Sequence, residues 1–399
     1  PFVLSGSIPS FIDAFFETVS GFTTTGSTVN SAVESAKHST LFWRSLTQFL
    51  GGMGVLVFAL AIFPTVSAEG TVYLAMAEMP GPSFSKITAR LSKVARILYG
   101  IYAAMTLVLF FLLWAFGMTP FDAICHAFTT AGTGGFSTKN NSIAYFDSPQ
   151  IEITLGIFML LYSVNFNLYY LLLIGEAREA SKNEELRWFA AFFGGAWLLI
   201  FLNAFHAGMA DVSAGEGARH AFFTVSSLMS STGFSVVNHD LWPLFSRLIL
   251  FTAMLIGACA GSTGGGLKVS RIVVLLKAVA VEFKKIRHPN RVVILRFEGE
   301  EVEDDRVRSI LIYFVLFILL LGISVVLISL DGLDFYSAFG NVLTCINNIG
   351  ANFGRLNAEG SFQSLHGASK LLLSFDMIAG RLEFWPVLLI LSPKTWRMT

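Results

Sequence analysis

The chain has 399 residues, of which 54% are hydrophobic and only 14% are charged, and its mean hydropathy is +0.65. A soluble domain carries roughly 25% charged residues, so this composition excludes an ordinary soluble domain and indicates a membrane protein. The net charge is zero, which gives no indication of nucleic-acid binding, and the three cysteines lack the spacing of a zinc site or a disulfide framework.

Apolar stretches long enough to cross a bilayer, at about 20 residues, alternate with shorter helical segments. The first short segment begins near residue 10 with no apolar stretch before it, so we expect at least one more helix upstream of residue 1 in the natural protein. Three stretches precede a short segment: Ile97–Gly117, Trp188–Phe205 and Ser309–Leu330. Four stretches follow one: Ser39–Pro64, Ile153–Gly175, Leu248–Val281 and Leu371–Pro393.

The four short segments share one register, counted back from the glycine that ends each of them: Gly26, Gly135, Gly233 and Gly350. The residue twelve positions earlier is always alanine: Ala14, Ala123, Ala221 and Ala338. The residue six positions earlier always carries a hydroxyl: Ser20, Thr129, Ser227 and Thr344. This pattern predicts an all-α membrane protein of four pseudo-symmetric repeats, each a helix, a short pore helix, a loop and a second helix. Four such loops meeting around one axis form an ion-selective pore.

The loops carry oxygens that can replace the water around a small cation. Backbone carbonyls do so when the chain is extended, and glycine permits the dihedral angles that aim them inward. Threonine and serine hydroxyls can add to the cage, and the negative ends of the pore-helix dipoles face it. The predicted cation-binding residues, here called the four filter segments, are Thr24, Thr25 and Gly26; Thr133, Gly134 and Gly135; Ser231, Thr232 and Gly233; and Asn348, Ile349 and Gly350.

Lysine and arginine predict the orientation. The linkers 66–96, 176–187 and 270–308 hold 16 basic residues, whereas the pore-side loops hold five. Cytoplasmic loops carry such an excess, so the filters are predicted to open outward from the cytoplasmic (inner) membrane. The predicted repeats are 1–66, without its first outer helix, 67–176, 177–290 and 291–399. Within the soluble-looking insertion 282–308, Val292–Phe297 has the composition of a short strand.

A glycine run interrupts the apolar stretch that follows the third filter segment. Non-helical backbone at membrane depth is tolerated only inside protein or beside water, so a loop there could project into the pore as a gate. Arg381, deep in the last stretch, is costly unless it has a function or a partner. We expect it to bond loop carbonyls and oppose cation exit; the alternative is a structural pairing with Asp376 or Glu383. The predicted gate residues are Gly261, Ser262, Thr263, Gly264, Gly265, Gly266, Lys268 and Arg381.

These motifs resemble the Trk/Ktr/HKT superfamily of potassium and sodium transporters, most closely its bacterial TrkH-type potassium-uptake branch. The resemblance runs from residue 10 to 396. Its specific parts are Gly21–Ser27, Ala131–Ser137, Ser230–Ser235, Asn347–Gly354, Gly257–Lys268 and Ala379–Glu383.

The resemblance implies a single chain that mimics a tetrameric potassium channel, assembles as a homodimer and binds a cytosolic ring of nucleotide-binding regulatory subunits of the TrkA type. It also implies an intramembrane gating loop in the third repeat. Potassium would be the transported ion, with no organic cofactor in this chain. Potassium-selective members are expected to keep glycine in all four filters, and sodium-favouring relatives to replace the first with serine, so Gly26 favours potassium.

The sequence offers two alternatives to a pore. Broken helices also occur in carriers with alternating access, such as an ion-coupled cation symporter, but four parallel repeats favour a channel-like path. An intramembrane enzyme would need a convergent base and nucleophile or a metal cluster. The seven histidines are scattered and form no HExxH motif, so the chain is predicted not to be an enzyme.

Overall fold

The computed structural model describes residues 1–54, 91–206, 213–288, 290, 293–384, 386 and 387. Almost all regular structure in these residues is helical. The α-helices are α1 (Phe11–Phe22), α2 (His38–Gly52), α3 (Leu91–Ala115), α4 (Pro120–Ala131), α5 (Pro149–Tyr162), α6 (Phe166–Leu173), α7 (Ala177–Lys182), α8 (Glu184–His206), α9 (Ala214–Met229), α10 (Leu244–Ile256), α11 (Val269–Arg287), α12 (Asp304–Ile328), α13 (Phe335–Ile346), α14 (Arg355–Glu359) and α15 (Gly367–Leu382). Short 3₁₀ helices cover Val33–Ser35, Ser142–Phe146, His239–Leu241 and Ser329–Asp331.

Among the described residues, three helices, α3, α8 and α12, are long and apolar enough to cross a membrane as single helices. Their spans are Ala95–Ala115, Glu184–Asn203 and Asp304–Asp331. Each precedes a pore helix, as the sequence predicts, and we call them the outer helices. Large apolar side chains such as Leu107, Phe111 and Val326 are exposed on them, as expected for surfaces that contact lipid.

The pore helices are α1, α4, α9 and α13. Side chains cap all four at the N-terminus: Ser10 accepts from the Asp13 N–H, Thr119 from Asp122, Ser213 from Glu216, and Asp334 from Tyr336 and Ser337. α1, α4 and α13 have 12 residues and α9 has 16, so they rise about 18 to 24 Å, which is too short for a hydrocarbon core of about 30 Å. The pore helices therefore end inside the membrane.

The helices that follow the filters, here called the inner helices, stop or bend part-way. α2 ends at Gly52, and α10 and α11 are separated by a loop over residues 257–268. α15 ends at Leu382, before Glu383 at φ 61°. The predicted span Ile153–Gly175 is not one straight helix, because α5 and α6 meet at an angle of 90°. Residues 55–64 and 388–393 of the predicted stretches Ser39–Pro64 and Leu371–Pro393 lie outside the described residues.

The repeats pack in a closed cyclic order. Each pore helix contacts its own inner helix and the inner helix of the preceding repeat: α4 contacts α2 and α5, α9 contacts α5 and α10, and α13 contacts α10 and α15. The first pore helix, α1, contacts α2 and α15. The last repeat is thereby brought against the first, and the four pore helices surround one axis.

A small hairpin, on the side that the basic-residue pattern predicts to be cytoplasmic, follows α11. Its strands, β1 (Arg296–Phe297) and β2 (Glu300–Glu301), pair antiparallel, with Arg296 opposite Glu301. The strand predicted over Val292–Phe297 is thus confined to its last two residues among those described. Leu295 and Val302 pack beneath the hairpin against Val274 and Ile310.

Candidate functional site

The four filter segments have the same backbone. In each, the N–H of the residue before the glycine donates to the carbonyl of the hydroxyl residue found in the sequence register: Thr25 to Ser20 at 2.9 Å, Gly134 to Thr129 at 2.8 Å, Thr232 to Ser227 at 2.9 Å and Ile349 to Thr344 at 2.8 Å. The residue two before the glycine has a positive φ: Thr24 at 54°, Thr133 at 51°, Ser231 at 60° and Asn348 at 54°. Left-handed backbone is costly for residues with a side chain, so its fourfold recurrence marks one built conformation.

The glycines close a ring. A Cβ added to any of them would collide with the carbonyl oxygen of the residue before the next filter's glycine. The distance from the added Cβ to that carbonyl oxygen is 1.9 Å for Gly26 and Gly134, 1.9 Å for Gly135 and Thr232, 1.9 Å for Gly233 and Ile349, and 2.0 Å for Gly350 and Thr25. The order runs through all four repeats and returns to the first. The structure therefore brings together the twelve predicted filter residues, with four carbonyl oxygens in one ring.

A cavity of about 520 Å³ lies on one side of this ring and touches all four filter glycines. Residues that follow the filters line it, including Thr28, Ser137, Ser235 and Asn352. These loops return towards the pore-helix N-termini, where Thr138 donates to Asp122 at 2.6 Å and the Arg355 N–H donates to Ser337 at 2.9 Å. The cavity therefore lies on the side of the ring that the basic-residue pattern predicts to be the exterior.

Polar side chains tie neighbouring filters together. The Asn348 amide donates to Thr25 Oγ1 at 3.0 Å and to the Met377 carbonyl at 2.8 Å. Gln48 on α2 donates to the Gly134 carbonyl at 2.7 Å and accepts from the Phe136 N–H at 3.1 Å. The Gly134 carbonyl of the second filter segment therefore accepts a hydrogen bond from a side-chain amide. The four carbonyl oxygens of the ring do not have identical surroundings.

A second set of positioning residues was missed by the sequence analysis. The residue nine positions before each filter glycine is polar: Glu17, His126, Thr224 and Asn341. Three of them bind the backbone or side chains just after the filter. Glu17 accepts from the Val29 N–H at 3.0 Å, His126 Nε2 lies 3.0 Å from Ser137 Oγ, and Asn341 accepts from the Phe353 N–H at 3.1 Å. The fourfold register was the available signal, but the four side chains differ in chemistry.

Glu17 also forms a buried ion pair with Arg44 on α2. Their side chains are 0% and 3% exposed and the Nε–Oε1 distance is 2.7 Å. Arg44 further donates to Thr28 Oγ1 at 3.1 Å and lies over the Phe136 ring. One cation thus holds the loops that follow the first two filters.

Glu17→Ala is expected to destabilise the protein by about 3–5 kcal/mol, because it leaves Arg44 buried without its carboxylate. The matched control is Glu359→Ala, whose pair with Arg355 is at the surface, with side chains 32% and 51% exposed, and is worth at most about 1 kcal/mol. Unfolding of both variants in the same detergent micelles measures the difference. Equal stabilities would contradict the role given to the Glu17–Arg44 pair.

The predicted gate loop lies between α10 and α11, inside the bend of α5 and α6. The Thr263 N–H and hydroxyl both donate to the Tyr162 carbonyl, at 3.3 and 3.2 Å. The Cys259 N–H donates to Ser163 at 3.0 Å, and Phe166 donates to the Gly261 carbonyl at 3.0 Å. The loop of the third repeat is therefore held by hydrogen bonds to the bend in the second repeat.

Two glycines allow the gate loop to pack closely against the residues that lead into the filters. A Cβ on Gly265 would lie 2.2 Å from the Asn347 carbonyl oxygen, and one on Gly264 would lie 2.8 Å from that of Ser230. The Gly265 N–H donates to Ser231 Oγ. Only glycine permits this approach, which places the loop beneath the third and fourth filters.

Two basic side chains converge on this loop. Arg381 donates to the Thr263 carbonyl at 2.9 Å and to the Gly51 and Gly52 carbonyls at 2.5 and 2.8 Å. Lys268, 2% exposed, donates to the Gly264 carbonyl of its own loop. The alternative partners of Arg381 are engaged elsewhere: Glu383 pairs with Arg271 at 2.6 Å, and Asp376 accepts from Ser324 at 3.0 Å. The expected bond between Arg381 and the loop is present in the structure.

Comparison with known proteins identifies the family. The TrkH family model, described as cation transport protein, matches residues 2–398. The chain belongs to the TrkH family. The Trk system potassium uptake protein TrkH of Escherichia coli K12 is 37% identical over 402 aligned positions, covering 100% of this chain and 82% of that protein. The Trk system potassium uptake protein TrkG of the same strain is 35% identical over 390 positions, covering 97% and 79%.

A solved TrkH-family structure has the same fold. The crystal structure of the potassium transporter TrkH from Vibrio parahaemolyticus matches with a TM-score of 0.84 at 33% identity, over 97% of this chain and 80% of that one. The predicted family and the all-α membrane fold are thus confirmed. Membership in the TrkH transport family also confirms that the chain is not an enzyme.

Proposed function

We propose that this TrkH-family chain takes up potassium ions across the cytoplasmic membrane through a channel-like filter. The observation that carries the proposal is the closed ring in which each filter glycine abuts the carbonyl oxygen before the next. The oxygens of Thr25, Gly134, Thr232 and Ile349 would replace the hydration shell of the ion. The relatives named as potassium uptake proteins support potassium as the cargo.

Backbone carbonyls rather than hydroxyls would carry most of the coordination. The Thr25 hydroxyl pairs with Thr23 Oγ1 at 2.8 Å and accepts from Asn348, and the Thr232 hydroxyl pairs with Ser230 Oγ at 2.7 Å. These side chains stiffen the filter from behind. Because all four filters keep glycine, no Cβ interrupts the ring, which agrees with the pattern expected of potassium-selective members.

The gate in this proposal is the loop over Gly261–Lys268. It lies against the residues that lead into the third and fourth filters, so an ion leaving the filter meets it first. Arg381 places a positive charge there, next to the buried Lys268, and buried charges repel a cation far more strongly than exposed ones. Displacement of the loop away from the pore axis would open the path for the ion.

The second candidate is an ion-coupled symporter with alternating access, which the broken inner helices would also suit. The closed ring favours the channel-like path, because its four parts sit around one axis rather than in two halves that rock. Tracer uptake into reconstituted vesicles, with competing sodium, potassium and caesium, tests both. Uptake that rises linearly with concentration, without saturation, supports the channel. Early saturation with fixed proton or sodium stoichiometry supports the symporter.

Family membership supports an assembly of this chain with other subunits. We expect a homodimer in the inner membrane, surrounded by lipid, with a cytosolic ring of nucleotide-binding subunits on the basic linker side. The divisions 1–66, 67–176, 177–290 and 291–399 follow the recurring order of outer helix, pore helix and inner helix. Cross-linking in native membranes, with and without the regulatory subunit, would measure the stoichiometry.

A further inference from the structure

The carboxylate of Glu185 holds both ends of the gate loop. Glu185 lies in the first turn of α8 and is 4% exposed. Its Oε1 accepts from the Ala260 N–H at 2.8 Å and from the Ser270 N–H at 3.1 Å. Ala260 directly precedes the glycine run, and Ser270 follows Lys268 at the start of α11. One oxygen on a neighbouring helix thus joins the two points where the loop is attached.

The hairpin holds the same end of α8. The Glu298 carboxylate, between β1 and β2, accepts from the Asn183 amide at 2.7 and 2.9 Å and from the Glu185 N–H at 3.1 Å. In return, the Glu298 N–H donates to Glu184 at 3.1 Å. Lys277 on α11 pairs with Glu184 at 2.5 Å and donates to the Arg296 carbonyl at 2.8 Å. Polar contacts therefore continue from the hairpin to the helix end that carries Glu185.

A cavity of about 290 Å³ lies among these groups and is lined by Glu185, Ala260, Ser270, Glu298 and Arg271, among others. Tightly packed neighbours would fix the ends of the loop by shape alone. Beside this cavity, the two hydrogen bonds to Glu185 restrain both ends of the loop, in addition to the backbone bond from the Val269 N–H to the Ala258 carbonyl at 3.1 Å.

We propose that Glu185 is a positioning residue of the gate: it clamps both ends of the loop in the closed arrangement, and the hairpin, through Glu298, can shift that clamp. The inference rests on the proposed gating role of the loop and adds an input for it. Movement of the hairpin at the cytoplasmic surface would displace the first turn of α8, and with it the acceptor shared by Ala260 and Ser270.

Glu185→Ala tests the clamp in the full chain reconstituted into vesicles. It is expected to raise tracer uptake about tenfold, equivalent to about 1.4 kcal/mol, which lies within the net contribution of two ordinary hydrogen bonds. Glu185→Gln keeps an oxygen that can accept both bonds and should stay within about threefold of the parent. Glu179→Ala removes an exposed carboxylate on the preceding helix α7 that pairs with Lys182 of the same helix, and is expected to leave uptake unchanged.

A second readout follows loop position rather than flux. In a background with Cys125, Cys259 and Cys345 replaced by alanine, a Ser262→Cys reporter should react faster with a thiol reagent when Glu185 is alanine. Glu298→Ala should act in the same direction and add little to Glu185→Ala, because both act through one contact. Should Glu185→Ala not fold, Glu185→Asp keeps the charge, loses the reach to both amides and is expected to behave in the same way.

The outcomes separate the clamp from the gate. If Arg381→Ala raises uptake while Glu185→Ala changes neither uptake nor labelling, the clamp is refuted and the gate stands. If Glu185→Ala speeds labelling while neither variant raises uptake, Glu185 does position the loop, but the loop is not the gate. Faster labelling together with higher uptake supports both.

Discussion

Gly233→Ala is expected to reduce potassium uptake at least ~100-fold, equivalent to about 2.7 kcal/mol at the filter. The added Cβ would lie 1.9 Å from the Ile349 carbonyl oxygen, and the contact is with backbone, which cannot rotate away. The φ of 82° adds a conformational cost of roughly 1–2 kcal/mol for any residue with a Cβ. The third filter must therefore move away from the fourth, which opens the ring. Tracer uptake into vesicles, corrected for reconstituted protein, measures the effect.

Gly322→Ala is the matched control. Gly322 lies on the outer helix α12, and a Cβ added there meets nothing within 4 Å. Uptake should be unchanged, and the helix should gain up to about 1 kcal/mol in intrinsic stability. Retention of more than half the parental uptake by a folded Gly233→Ala protein would show that the glycine ring does not conduct ions.

Arg381→Ala is expected to raise uptake about tenfold. The change removes the bonds to Thr263 on the gate loop and to Gly51 and Gly52 on the first inner helix. Each bond to a charged donor contributes roughly 1.5–3 kcal/mol, and part of that free energy holds the loop in place. The substitution also removes a positive charge from the exit path. Initial rates at a fixed potassium gradient measure the effect, and a rate no higher than that of the parent would refute it.

Arg381→Lys separates the two contributions. Lysine keeps the charge but lacks the planar fork that reaches several carbonyls at once. If electrostatic repulsion dominates, Arg381→Lys should transport like the parent protein. If the hydrogen bonds dominate, it should transport like Arg381→Ala. Either result locates the restraint, and both require that Arg381→Ala itself be faster.

The ring of filter glycines was predictable from sequence because its requirements are local and repeated. Each filter segment needs a glycine where a Cβ would collide with the next filter segment. Each pore helix needs the same spacing between its residues and that glycine. Four such segments in one register left little choice of arrangement. The contact of Arg381 with the loop was predictable on physical grounds as well, because a guanidinium at membrane depth must find oxygens.

The features that sequence did not predict depend on contacts between repeats. The bend at Ser163–Asn165 contains neither glycine nor proline. It is stabilised by the gate loop, because the Cys259 N–H donates a hydrogen bond to the Ser163 carbonyl. The Glu17–Arg44 pair joins a pore helix to an inner helix, and no spacing rule connects the two positions. The Glu185 contact links residues 75 and 85 positions apart in sequence.

The join between the first and last repeats has a consequence for biosynthesis. Asn348 reaches Thr25 across 323 positions of sequence, so the ring of filter segments stays open until the fourth repeat has been synthesised. Until then, the polar backbone of three filters faces the gap that the fourth will fill, where lipid cannot satisfy its hydrogen bonds. Membrane insertion of this protein therefore ends with a long-range closure, a slow class of folding event, and nascent chains halted after the third repeat should be favoured substrates for membrane proteases.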